Sequence, residues 1–130
     1  MPPAVPASLL AYCRPGFEGE CAQELAARDA LLGGGGFART RRDDGFVEFV
    51  TPAADRLAGA WRQLVFARQL LAVLATLREL PPRDRLSALL PRIEADPRRW
   101  NDAWVESPDS DTGRELAPLC RSLGNALFHT

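Results

Sequence analysis

An Asp44-Gly45 dipeptide separates two short strand-like runs, residues 37–42 and 46–50. Asp-Gly supplies the positive backbone angles that a tight hairpin turn needs, so the middle of the chain reads as an antiparallel pair. Side-chain alternation along the first run puts Arg39 and Arg41 on the same face. Everything before and after this hairpin has to be placed around it.

Before it, residues 9–13 are a short apolar run closed by Arg14-Pro15-Gly16, which reads as a strand and a turn. In residues 17–32, Phe17, Cys21 and Leu25 recur every four positions, with Ala22 and Ala26 beside them. Glu18 and Glu20 fall in the first turn, where the helix dipole favours acids, and Gly33 follows as a stop. The run Gly33 to Gly36 follows a helix and precedes a strand, the reverse of the order a phosphate loop requires, so it is expected to be a flexible connection. After the hairpin, Leu57, Trp61, Leu64, Val65 and Arg68 carry a helical pattern over residues 54–68, and residues 70–77 are apolar enough for a central strand. The order strand, helix, strand, strand, helix, strand is that of an α+β, ferredoxin-like βαββαβ unit, with an antiparallel sheet and both helices on one face.

Residues 1–8 hold three prolines and no basic residue and read as a loose lead-in, not a signal peptide. Pro81-Pro82 marks a boundary, giving a first domain over 9–80 and a second unit over 81–130. In the second unit the expectation is a helix over 84–94, a strand over 100–107 and a last helix bearing Leu116, Leu119, Cys120, Leu123 and Leu127, kinked or delayed by Pro118. Thr112 and Glu115 fit a capping box. A single strand with two helices cannot close its own core, so this αβα unit is expected to be incomplete, with the natural chain continuing past Thr130.

The 130 residues suffice for one ordinary domain or two small ones, and 46% apolar with 25% charged residues exclude a disordered, collagen-like or coiled-coil chain. With 16 basic and 17 acidic side chains the net charge is -1, so any nucleic-acid site is a local patch. Every basic residue is arginine. A GC-rich coding bias explains this, and it also makes each cation a planar fork suited to phosphates and base edges. Cys13, Cys21 and Cys120 form no Cys-x-x-Cys pair and His129 is the lone histidine, so no metal site is expected. The sparse, odd cysteine count suits a reducing cytoplasm. Residues 64–77, interrupted by Arg68 and Gln69, fall short of the ~20 apolar residues that cross a bilayer.

Four ordered sets of residues carry a family resemblance. They are Tyr12-Cys13-Arg14-Pro15-Gly16-Phe17-Glu18 with Glu20-Cys21-Ala22; Gly36-Phe37-Ala38-Arg39; Phe66-Ala67-Arg68-Gln69 with Leu80-Pro81-Pro82-Arg83-Asp84-Arg85; and Val105-Glu106 through Asp109, Glu115-Leu116 and Cys120-Arg121. Together the sequence resembles the N-terminal region of the RlmM-type bacterial 23S rRNA methyltransferases. That family uses S-adenosylmethionine to methylate a cytidine ribose 2′-oxygen. The resemblance implies a ferredoxin-like domain followed by the start of a THUMP RNA-binding domain, with large-subunit rRNA and the absent methyltransferase domain as partners, and a cytoplasmic setting. It also implies a fragment with no catalytic residue and no cofactor site of its own: no Asp-x-Gly-x-x-Pro-Gly-Gly-like loop occurs, and a chain without lysine cannot hold a Lys-Asp-Lys-Glu tetrad. The sequence departs from the family at 31–36, at 98–104 and at Pro118.

Two arginine clusters are candidate RNA contacts. Arg39, Arg41 and Arg42 suit phosphate contact from a hairpin edge, or a solvated face balanced by Asp43 and Asp44. Arg92, Arg98 and Arg99 flank Trp100, the combination of a surface that stacks unpaired bases. Trp104 is expected in the core between the two units. Arg14 and Arg68 are expected to pair with carboxylates at the domain interface. Asp109, Ser110 and Asp111 are read as helix caps, Cys13 and Cys21 as buried thiols, and His129 as chain end. Two other function classes stay open: a protein-interaction module using a sheet face or edge, and an acylphosphatase-like hydrolase with Arg14-Pro15-Gly16 as its anion loop. The latter lacks an asparagine in the first unit.

Overall fold

A computed structural model describes residues 7–96 and 102–128. Four strands form one antiparallel sheet: β1 (Ser8–Cys13), β2 (Phe37–Arg39), β3 (Phe46–Val50) and β4 (Ala67–Val73), in the order β2-β3-β1-β4. The helices α1 (Glu18–Leu31) and α2 (Ala54–Ala58) follow β1 and β3. This is the ferredoxin-like arrangement expected from the element order. Alternation along β1 and β3 turns Leu9, Ala11, Cys13, Val47 and Phe49 to one face, where they pack with Cys21 and Leu25 of α1 and Leu57 of α2. Leu10, Tyr12 and Phe46 stand half-buried on the opposite face.

Three boundaries differ from the sequence reading. The helix expected over 54–68 is the single α2 followed by a 3₁₀ turn at Trp61–Gln63, and the chain is already extended at Leu64. Arg68 therefore lies in β4, which runs over Ala67–Val73 rather than 70–77. The β1–β4 ladder jumps from Tyr12↔Gln69 to Cys13↔Ala67, so Arg68 is the extra residue of a bulge. The hairpin strand β2 ends at Arg39, leaving residues 40–45 as a broader turn with positive φ at Asp43 (67°) and Gly45 (78°). Arg41 thus falls in the turn and not on the strand face beside Arg39.

Further along lie α3 (Arg85–Glu94), α4 (Asp111–Arg114) and α5 (Ala117–Phe128), with α3 packed on α5. Asp84 caps α3, its carboxylate accepting from the Ser87 amide at 3.2 Å and its hydroxyl at 2.6 Å. Ser110, not Thr112, caps α4: its Oγ accepts from the Gly113 amide at 3.0 Å. Residues 102–107 form no strand, so the middle element expected in the second unit is missing among the described residues. No neighbouring strand offers them a ladder, and an unpaired strand has no hydrogen-bond reason to persist. Trp104 is 79% exposed instead of sitting in a core. Pro118 falls in the first turn of α5, where a missing amide costs nothing.

The loops of the sheet are held by carboxylates of α1. Glu18 is 2% exposed and accepts from three backbone amides: Gly45 at 2.8 Å, Asp43 at 3.0 Å and Gly16 at 3.0 and 3.2 Å. Glu24 accepts from Val65, Phe66 and Ala67 at 2.6, 2.9 and 2.8 Å. Asp29, also 2% exposed, accepts from the Gly36 amide at 2.7 Å and the Thr51 hydroxyl at 2.5 Å. The glycine run is consequently not a free connection. A Cβ at Gly36 would lie 2.5 Å from the Val50 carbonyl and 2.6 Å from the Thr51 Cβ, so only glycine fits against β3 there.

For Glu18 the two opposing effects can be weighed. Burying a carboxylate costs several kcal/mol. Each hydrogen bond to a charged group returns about 1.5–3 kcal/mol, and three amides converge. Burial pushes the Glu18 carboxyl up, but the amides of Gly45, of Glu18 itself, of Asp43 and of Gly16 outweigh it and hold it below the ordinary carboxylate range. A folded-state pKa below the unfolded value contributes stability that is present above roughly pH 4.3 and is lost as pH falls through the folded value. Glu18→Gln should cost about 2–3 kcal/mol in denaturant titration at pH 7, because one amide oxygen cannot serve three donors. The gap between variant and wild type should narrow as pH drops below about 4. Stability curves that stay parallel down to acid pH would remove Glu18 from this role.

Candidate nucleic-acid interface

The Glu18 clamp fixes the 40–45 turn at one end of the sheet. Thr40 Oγ1 donates to the Phe46 carbonyl at 2.8 Å and the Asp44 amide to the Arg41 carbonyl at 3.2 Å. At Gly45 a Cβ would come within 3.3 Å of the Asp109 carbonyl, so the turn sits directly against residues 108–113. Between them opens a cleft of about 580 Å³ into which four arginines face: Arg14 from the β1–α1 loop, Arg42 from the turn, Arg68 from the β4 bulge and Arg114 from α4.

Four carboxylates, Asp43, Asp44, Asp109 and Asp111, line the same cleft. Asp109 pairs with Arg68 at 3.8 Å and with Arg114 at 3.4 Å, and Arg114 also reaches Asp111 at 3.6 Å. Arg68 thus has the carboxylate partner expected of it. Both partners are more than half exposed and the contacts are long, so each pair contributes little, and a phosphate can displace it. Arg14 instead lies over the Phe17 ring, 5.9 Å from its centre, and Phe17 stacks on Phe66 at 6.0 Å. Among the described residues, Arg14 and Arg42 have no carboxylate partner. Asp109 and Asp111 serve as ion-pair partners, while the capping expected of that trio falls to Ser110.

Of the arginines singled out as RNA contacts, Arg42 alone among the described residues lines the cleft, beside Arg14 and Arg68, the two expected to pair with carboxylates. Arg39 pairs with Glu48 at 3.6 Å and lies over Phe37 at 5.4 Å, on the outer edge of the sheet. Arg41 is exposed on the turn, and Arg92 is exposed in the last turn of α3. Arg98, Arg99 and Trp100 lie outside the described residues, as does His129. Arg114 escaped the sequence reading, since a lone arginine in a helix carries no signal until the fold brings α4 to the hairpin. In the Arg14-Pro15-Gly16 loop the Gly16 amide is taken by Glu18, so that donor is not free for an anion.

Cys13 and Cys21 are buried and free, as expected. Burial pushes both thiols up, assisted at Cys13 by the Glu18 charge, and Cys21 reaches about 12. Neither can act as a thiolate near neutral pH. No cluster of metal-ligating side chains occurs among the described residues. At pH 8, iodoacetamide should alkylate half-exposed Cys120 in the native chain and reach Cys13 and Cys21 only after denaturation, as peptide mapping would show. Native-state labelling of Cys21 as fast as Cys120 would contradict this core.

Residues 7–71 match the RlmM ferredoxin-like domain family. The chain is also similar to curated relatives named "Ribosomal RNA large subunit methyltransferase M". It is 54% identical to that of Xanthomonas campestris pv. campestris (strain B100), 53% to that of Xanthomonas oryzae pv. oryzae (strain PXO99A) and 52% to that of Xanthomonas axonopodis pv. citri (strain 306). Each match runs over 121 residues, which are 92% of this chain and 35% of the relative, so the chain spans about a third of their length. A fold, a clamped hairpin and an ordered set of segments thus converge with these matches: this chain belongs to the RlmM family through its ferredoxin-like domain.

Proposed function

We propose that this chain is the RNA-positioning part of an S-adenosylmethionine-dependent large-subunit rRNA methyltransferase that modifies a cytidine ribose 2′-oxygen. The observation that carries the reading is the arginine cleft built on an RlmM ferredoxin-like domain. A protein with net charge -1 has no global attraction for RNA, so affinity has to come from such a patch. In this reading residues 81–130 begin a THUMP domain, Arg92, Arg98, Arg99 and Trp100 add a second RNA surface there, and the protein works in the cytoplasm beside its methyltransferase domain. Among the described residues no helix is long and apolar enough to cross a membrane.

Among the described residues, the glycine run lacks the arrangement of a loop that would hold S-adenosylmethionine. The glycine run follows α1 and precedes β2, and the Gly36 amide is directed at Asp29, so no helix N-terminus faces a ligand there. In this reading the chain binds and orients RNA, and cofactor chemistry belongs elsewhere in the parent protein.

Titration of the 130-residue chain with structured rRNA fragments at several salt concentrations tests the reading. Binding should be weak and salt-sensitive, and the triple change Arg42→Ala, Arg68→Ala, Arg114→Ala should flatten the salt slope by about one unit per lost phosphate contact. The triple Arg92→Ala, Arg98→Ala, Arg99→Ala gives the comparison for the second surface. If neither triple changes affinity or slope, these arginines are ordinary solvated surface and the reading fails. Calorimetric titration with S-adenosylmethionine should show no saturable heat.

A further inference from the structure

Beside the arginine cleft lies a second, apolar cavity of about 300 Å³ on the sheet face opposite α1 and α2. This is the small end of the ~300–1,000 Å³ range of ligand pockets. Its floor is the cross-strand pair Tyr12 on β1 and Phe46 on β3, directly opposite each other in the ladder, and both rings are half-buried. Leu10, Pro108 and Leu116 close its sides. The two cavities are continuous in their walls, since Asp44, Ser110 and Thr112 line both. An apolar cavity lined by two aromatic side chains therefore opens beside a cleft that holds four guanidinium groups among four carboxylates.

We propose that Tyr12 and Phe46 form a stacking seat for one unpaired nucleobase, with the phosphates flanking that nucleotide held in the adjoining arginine cleft. The proposal deepens the RNA reading above and rests on it, naming the ligand as single-stranded or looped-out RNA. The chemistry follows from the juxtaposition. An unpaired base presents a flat apolar face within one nucleotide of its charged phosphate, and aromatic rings on neighbouring central strands of an antiparallel sheet stack such bases in other RNA-binding domains. A duplex cannot enter, because its bases are stacked on each other. Arg42 and Arg14, without carboxylate partners among the described residues, supply the charge complementarity. Burial, followed by the nearby Glu106 and Cys120, pushes the Tyr12 hydroxyl up, so the ring stays a neutral phenol at physiological pH.

The test is fluorescence anisotropy of the 130-residue chain with a labelled ten-nucleotide single-stranded RNA and with a blunt duplex of the same length. Wild type should prefer the single strand. Tyr12→Leu and Phe46→Leu, which keep the seat apolar, should each weaken single-strand binding roughly 5- to 150-fold, the loss of one stacked base, without changing the salt slope. Arg42→Ala should lower the slope instead. Equal binding of duplex and single strand, or wild-type affinity in both leucine variants, overturns the stacking seat. If the arginine triple loses RNA while the leucine variants do not, the RNA reading stands and the seat alone falls. If wild type binds no RNA, both fall. A measurement on the wild type covers the case of a leucine variant that fails to fold: photocrosslinking with a 4-thiouridine-bearing strand should map to Tyr12 or Phe46, and crosslinks confined elsewhere refute the proposal.

Discussion

Glu18 reaches back from the first turn of α1 and gathers the amides of Gly16, Asp43 and Gly45, which belong to two loops far apart in sequence. A buried charge is tolerated only when its acceptors are filled, and here backbone donors fill them. The same helix repeats the device twice, with Glu24 on the entry to β4 and Asp29 on the β2 entry and the Thr51 hydroxyl. One helix thus both covers the core with Cys21 and Leu25 and ties down three connections of the sheet. The hairpin turn held in this way carries Arg42 and abuts residues 108–113, so the arginine cleft exists because the clamp does.

A small sheet needs such ties. The contiguous core consists of a few side chains from β1, β3, α1 and α2, and none of the residues in α3 is fully buried. Polar contacts to loop backbone supply order where apolar burial is thin. On the opposite face of the sheet Tyr12 and Phe46 are half-buried beside residues 108–116.

Much of this was legible in the sequence, and the reasons for the rest are physical. The α1 pattern, the Asp44-Gly45 turn and the element order express local periodicity and turn chemistry, and they led directly to the antiparallel sheet. The carboxylate clamps were not legible: Glu18 reads as a dipole-favoured acid, since nothing local shows that its partners are amides 25 and 27 residues away. The long helix expected over 54–68 failed because Leu64, Val65 and Phe66 suit a strand entry as well as a helix face, and Glu24 on another element decides between them. Trp104 shows the opposite failure, an apolar residue left exposed where the strand expected around it did not form. The cleft was seen in part, through Arg42 and the Arg68 pairing. Arg114 and the pairing of Tyr12 with Phe46 became visible only once tertiary contacts were known.

Amide hydrogen exchange at individual loop positions tests the organising role of α1 most directly. Gly36, Asp43, Gly45 and Val65 lie in connections or at their ends, and their amides are held by carboxylates rather than by neighbouring strands. These amides should exchange as slowly as those of β1 and β3 under native conditions. Exchange at the rate of exposed loop amides would contradict the claim that three carboxylates of one helix fix the connections on which the cleft is built.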